Sequence, residues 1–320
     1  MRRALIAAAL AWGALAGAAL AAEVRTYALP KGAHPHDVAA APDGAVWYTA
    51  QWQGALGVLD PKTGAVEQIP LGEKSAPHGV IVGPDRAAWV TDGGQNAIVR
   101  VDPKTKAVKV WPLPADTGYA NLNTAVFDAK GRIWFTGQSG IYGRLDPAKD
   151  DMKAWKAPRG RGPYGIAATP SGEIYYASLA GNHIARVNLE TGEATVIEPP
   201  TAGQGARRVW SDSKGRLWVS EWNAGQLSLY DPKTGAWKSW KAPGEGPRVY
   251  SVYVDERDKV WISEWTANAI LRFDPDTETF ESFPSDMANA GVRQMLGRPG
   301  EAWAAESGVD RLAVVDYRRD

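Results

Sequence analysis

The sequence of 320 residues contains no cysteine. Disulfides, thiolate chemistry, Cys-bound structural zinc and c-type haem attachment are therefore excluded, and stability must come from packing and from how the chain closes on itself. Net charge is absent too, because 36 Lys and Arg balance 36 Asp and Glu. That balance argues against broad electrostatic binding to nucleic acid or to an anionic membrane. After residue 20 there is no long apolar run, and no segment keeps a helical hydrophobic period. A Gly-rich phosphate loop, a His-Glu-x-x-His pair and a Gly-x-Ser-x-Gly elbow are all missing.

What is present begins with a leader pattern. Arg2 and Arg3 are followed by an apolar stretch over 4–20, and Ala19-Leu20-Ala21 fits the small-x-small cleavage rule. The apolar stretch is short for a membrane span. This predicts a signal peptide over 1–21 and an exported protein, periplasmic or secreted. The mature chain over 22–320 is then a single domain, expected to be monomeric and free of the membrane.

The body of the chain is a repeat. Turns resembling Asp-Pro-Lys-Thr-Gly begin at Asp60, Asp102, Asp146, Asn188, Asp231, Asp274 and Asp316, always 42 to 44 residues apart. Aromatic markers keep the same beat at Trp47, Trp89, Trp134, Tyr175, Trp218, Trp261 and Trp303. Between the markers lie short runs rich in Val, Ile and aromatics, punctuated by Pro, Gly and Asp, which read as strands and hairpins. A period of this size with four strands per unit predicts an all-β, seven-bladed β-propeller of four-stranded antiparallel blades. The last unit stops after its third strand, whereas residues 23–30 resemble the fourth strands of other units. The N-terminal strand is thus expected to complete the last blade and close the ring, which removes exposed edges.

In such a blade the loop into the innermost strand and the loop between strands two and three share one face. Eleven residues before each marker stand His36, His78, Asn123, Tyr164, Arg207, Tyr250 and Val292. One residue later come Asp37, Gly79, Thr124, Gly165, Arg208, Ser251 and Arg293. Three residues after the marker come Ala50, Asp92, Gly137, Ser178, Glu221, Glu264 and Glu306. Folding requires the Trp and the turn in every copy but not a different polar residue at each mouth position, so this variable ring is where a site is expected. His36 and His78 are the candidate acid and base. Asp92, Glu221, Glu264 and Glu306 are candidate ligands for a hard cation, Mg²⁺ or alternatively Ca²⁺. Asn123, Tyr164, Arg207, Arg208, Tyr250 and Arg293, with Trp222 and Trp265 as stacking surfaces, are candidate contacts for a small molecule or cyclic peptide. His34 reads as a loop residue and His183 as a surface residue.

The motifs Pro77-His78-Gly79-Val80 and Pro163-Tyr164-Gly165-Ile166, and the phrase Trp-x-Ser-Glu-Trp-x-Ala-Asn-x-Ile-x-Arg over 261–272, resemble the virginiamycin B lyase (streptogramin lyase) family. The resemblance runs repeat by repeat along the mature chain. It implies a seven-bladed propeller and a Mg²⁺-dependent elimination that opens the ester of streptogramin B antibiotics without water. It also implies that His36 and His78 match the family's two histidines on adjacent blades. The family pattern has a Glu two residues before the second His, where this chain has Ala76, and a carboxylate where it has Ala50. Three readings follow: a lyase-like enzyme, a lactonase-like hydrolase using a carboxylate-bound metal, and a non-catalytic binding propeller.

Overall fold

The computed structural model describes residues 22–320. The leader read over 1–21 lies outside the described residues. Within them, 28 strands form seven antiparallel sheets of four strands each. Helix is confined to three single 3₁₀ turns, at Gln51–Gln53, Ala115–Thr117 and Ser307–Val309. Blade one spans 35–70, and blades two to six span 77–112, 122–156, 163–197, 206–241 and 249–284. Blade seven joins 292–316 to the N-terminal strand Glu23–Ala28.

The repeat has a local physical cause. A buried indole needs a partner for its N–H, and an acid in or beside the preceding hairpin turn supplies it. Nε1 of Trp89 donates to Asp85 at 3.0 Å, Trp134 to Asp128 at 2.9 Å, Trp218 to Asp212 at 3.1 Å, Trp261 to Asp255 at 2.8 Å and Trp303 to Glu301 at 2.8 Å. At the Asp60 turn, the Asp60 carboxylate accepts from the Lys62 amide and Gly64 takes a positive φ of 75°, which glycine adopts without strain. Cores form between blades: Val38, Val46 and Tyr48 of blade one pack with Trp303, Leu312 and Val314 of blade seven.

Closure follows the sequence expectation. Glu23–Ala28 pairs antiparallel with Arg311–Asp316, from Glu23 opposite Asp316 to Ala28 opposite Arg311. An ion pair between Arg25 and Asp316 at 2.9 Å and the stacking of Tyr27 on Trp303 at 5.5 Å fasten it.

Two further features position the mouth. Each innermost strand carries a bulge just after its first residue, as between Pro35 and Val38 in blade one. A bulge re-aims side chains that would otherwise alternate between faces. In four blades a hydroxyl two residues after the aromatic marker then ties the bulge to the next blade. Thr49 accepts from the Asp37 amide at 2.9 Å and donates to the His78 carbonyl at 2.8 Å. Thr91 links Gly79 to the Asn123 carbonyl, Thr136 links Thr124 to that of Tyr164, and Ser220 links Arg208 to that of Tyr250. Ala177 and Ala305 stand at this position in blades four and seven.

Blade seven corrects the register. Its first hairpin is one residue shorter: Leu296 faces Trp303, whereas Ile81 faces Trp89 in blade two. Val292 therefore pairs with Glu306 as Pro35 pairs with Ala50, and Arg293, not Val292, takes the His36 register. Gln294 follows it, in the register of Asp37.

Candidate functional site

The mouth brings His36 and His78 into contact. Their ring centroids are 3.6 Å apart at 41°, and the residues are only 2% and 6% exposed. Identical register on adjacent blades, stitched by Thr49, puts them there.

The hydrogen-bond network assigns the two rings opposite tautomers. Nδ1 of His36 lies 2.8 Å from Oδ1 of Asp37, so this nitrogen carries the proton and Nε2 is the free base. A Tyr250 hydroxyl stands 3.5 Å from that Nε2. On the other side, Nη1 of Arg208 donates to the Thr124 hydroxyl, which can only pass its own proton on, to Oδ1 of Asn123 at 2.8 Å. The Asn123 amide is thereby oriented to donate from Nδ2 to Nε2 of His78 at 3.2 Å. Nε2 of His78 is an acceptor, and its proton sits on Nδ1, which is buried and has no partner. Arg208 also donates to Oδ1 of Asp37 at 3.2 Å, so one guanidinium anchors both arms.

Electrostatics keep the pair neutral. Burial, then the positive charges of Arg293, Arg208 and Arg207, hold His36 well below the usual histidine value. Burial and then His36 itself do the same to His78. Burial pushes the Asp37 carboxyl up, with Arg208 pulling the other way. Tyr250 donates or accepts with Tyr164 at 2.7 Å. Burial alone would raise Tyr250, but Arg207, Arg208 and Arg293 outweigh it and bring the phenol down to about 8. Tyr164, hardest hit by burial, goes up to about 12. Tyr250 stacks on Trp265 at 5.1 Å, and Trp222 stands edge-on to both.

All eight expected contact residues gather on this face. The four carboxylates do not gather into one ligand set. Each is held by the loops of its own sheet. Asp92 accepts from the amides of Ala76, Gly94 and Gln95. Glu264 accepts from those of Arg248, Thr266 and Ala267, Glu221 from the Gln226 side chain, and Glu306 pairs with Arg311 and Ser285. Among the described residues, the one group of three or more metal-type ligands is His36, Asp37 and His78. It offers a single carboxylate, which already accepts from His36 and Arg208. Mg²⁺ and Ca²⁺ call for oxygen-rich shells, and three guanidinium groups nearby oppose a dication. The residues present do not fit either ion.

Asp37 and Gln294 are the site residues that type-by-type reading passes over. Asp37 stands in the second register, and only its contact with His36 reveals a role. His34 is a loop residue with φ of 42°, its ring stacked on Trp52 at 3.6 Å. His183 is not on the surface: it is 1% exposed, bonded through Nδ1 to the Gly181 carbonyl at 2.9 Å, and remote from the histidine pair in the fourth blade. Beneath the mouth, Asp37, Gly79, Thr124 and Gln294 border a channel cavity of about 380 Å³ whose walls, including Val80, Phe127, Ile166 and Leu296, are apolar.

Known proteins share this architecture. The virginiamycin B lyase of Staphylococcus aureus superposes with a TM-score of 0.85 at 19% identity, covering 92% of this chain and 99% of that one. A streptogramin B lyase structure gives 0.84 at 21% identity, with 92% and 97% covered. A catalytically inactive histidine-to-alanine variant of the S. aureus enzyme, solved with quinupristin, gives 0.85 at 20% identity, with 92% and 99% covered. At these identities the likeness shows the fold. No curated protein sequence matches the chain significantly. The sequence model described as the virginiamycin B lyase family matches residues 3–234, well over half of the chain, and the chain belongs to that family.

Proposed function

We propose that this protein is an exported carbon–oxygen lyase that opens a cyclic ester by elimination, with His36 as base and His78 as hydrogen-bond donor to the leaving oxygen. The observation that carries this reading is the contact of two rings whose hydrogen-bond partners assign them opposite tautomers. Nε2 of His36 presents a lone pair, and Nδ1 of His78 presents an unused N–H.

The step needs little else. His36 Nε2 takes a proton from the carbon bonded to the alkyl carbon that carries the ester oxygen. The C–H electron pair becomes the new double bond, and the alkyl C–O bond breaks with its pair on oxygen. Asp37 fixes the His36 tautomer and stabilises the imidazolium that forms. Burial keeps the base unprotonated near neutral pH and keeps water from competing. No step is routed through a divalent cation, because the donor set does not suit one. The same argument counts against the lactonase reading, whose ligand pool is Asp92, Glu221, Glu264, Glu306 and Asn123: the carboxylates are held within their own sheets, and Asn123 is bonded to Thr124 and His78. The apolar leader supports export.

Turnover of a panel of cyclic depsipeptides and lactones tests the assignment. His36→Ala and His78→Ala should each lose roughly 10²–10⁴-fold in rate, the contribution of a positioned acid or base. Circular dichroism should show the sheet content of both variants unchanged. An active wild type whose two variants keep full rate refutes it.

A further inference from the structure

Three guanidinium groups converge on the histidine pair, and one carboxylate answers them. Arg208 is committed to Asp37 at 3.2 Å and to Thr124. Arg207 lies over the Tyr250 ring at 3.6 Å, with Nη2 3.0 Å from the Tyr164 hydroxyl, and Arg293 lies 5.5 Å from the Trp265 ring. Among the described residues neither Arg207 nor Arg293 has an acidic partner. Nε of Arg207, Arg208 and Arg293, and Nδ1 of His78, are all buried and unpartnered. Arg208 and His78 are themselves only 1% and 6% exposed.

Buried donors without acceptors are costly, and cationic ones most of all. Four of them aimed around one mouth call for a ligand that brings acceptors and negative charge. The guanidinium fork matches the two oxygens of a carboxylate. Trp222 and Trp265, both half-buried and perpendicular at 5.5 Å, add flat apolar walls beside it.

We propose that this mouth binds the carboxylate of a small organic acid with an aromatic or unsaturated skeleton, held by Arg207 and Arg293 next to the histidine pair. Its place in turnover rests on the elimination reading. When the alkyl C–O bond breaks, the departing oxygen belongs to a carboxylate. Its electron pair and negative charge come to the guanidinium groups, while the proton removed from carbon stays on His36 until solvent takes it. The atoms balance with no water, metal or oxidant consumed. Fixed guanidinium charge thus does in this chain what a dication would do elsewhere.

Calorimetry on the mature protein, treated with EDTA, tests binding without turnover. The probes are benzoate and 4-hydroxycinnamate, their amides, inorganic phosphate and MgCl₂. The acids should bind at least roughly tenfold more tightly than the amides, the value of a charge-assisted contact. Arg293→Met keeps the apolar stem and should weaken the acids by about tenfold or more while leaving the amides unchanged. Arg207→Met is the second variant, for the case that one substitution impairs folding. Equal affinity for acid and amide, acid binding untouched in both variants, or tighter binding of Mg²⁺ or phosphate than of either acid overturns the proposal. If no ester is turned over yet the acids bind as described, the elimination reading fails and the carboxylate site stands. If an ester is turned over and the acids do not bind, elimination stands and the carboxylate site is overturned.

Discussion

Nδ1 of His36 lies 2.8 Å from Oδ1 of Asp37, its neighbour in the chain. Adjacent strand residues ordinarily point to opposite faces. Here the bulge between Pro35 and Val38 lets both side chains serve one site, and the contact leaves Nε2 of His36 as the basic nitrogen. Asp37→Asn should lower kcat about 10–100-fold, the usual effect of losing an orienting partner, with KM little changed. Steady-state kinetics separate the two constants. A rise in KM with kcat intact would place Asp37 in ligand binding rather than in positioning.

Stability should fall on acidification. His36 and His78 titrate well below 6.5 in the folded protein, first because they are buried. Between the folded value and the unfolded value of about 6.5 the unfolded chain binds more protons, so stability drops as pH falls through that window and is full above it. Asp37, raised by burial, acts in the opposite sense in the window that opens upward from its ordinary value. Melting temperatures measured from pH 7.5 downward should show the loss, and His78→Gln should show less of it. A His78→Gln curve parallel to wild type would remove His78 from the account.

The hydroxyl belt should carry measurable stability. Thr91 accepts from the Gly79 amide at 2.9 Å and donates to the Asn123 carbonyl, both buried. Thr91→Val conserves shape and strands both groups, so it should cost about 1–3 kcal/mol in urea unfolding. A change within about 0.5 kcal/mol, the range of an ordinary surface substitution, would show that the belt is idle.

Closure by the N-terminal strand can be removed directly. Deleting 23–28 strips the edge of Arg311–Asp316 and the stacking of Tyr27 on Trp303. The truncated protein should aggregate or melt at lower temperature. A soluble product with the wild-type melting temperature would contradict ring closure as a source of stability.

The architecture was legible because it is enforced in every copy. The marker aromatic is buried in every copy, and five of the six marker Trp donate their N–H to an acid just upstream, as Trp89 does to Asp85 and Trp261 to Asp255. The pairing of Glu23–Ala28 with Arg311–Asp316 was legible from a missing strand at one end and a spare strand at the other. The site was legible only in outline. A fixed offset from the marker located His36 and His78, but it misplaced blade seven by one residue, because the short hairpin at Arg298 and Glu301 lies between marker and mouth. Residue type alone could not separate Glu264, which caps three backbone amides of its own loops, from Asp37, which orients a histidine. That distinction depends on side-chain direction across the bulge and on which blade is next in the ring.

The mass of the product tests elimination by His36 and His78 most directly. Wild-type protein in EDTA, given a cyclic depsipeptide in ¹⁸O-water, should yield a linear product with the mass of its substrate and no ¹⁸O, and His36→Ala should yield little of it. A product heavier by one water and carrying ¹⁸O, or undiminished product from His36→Ala, would contradict the account.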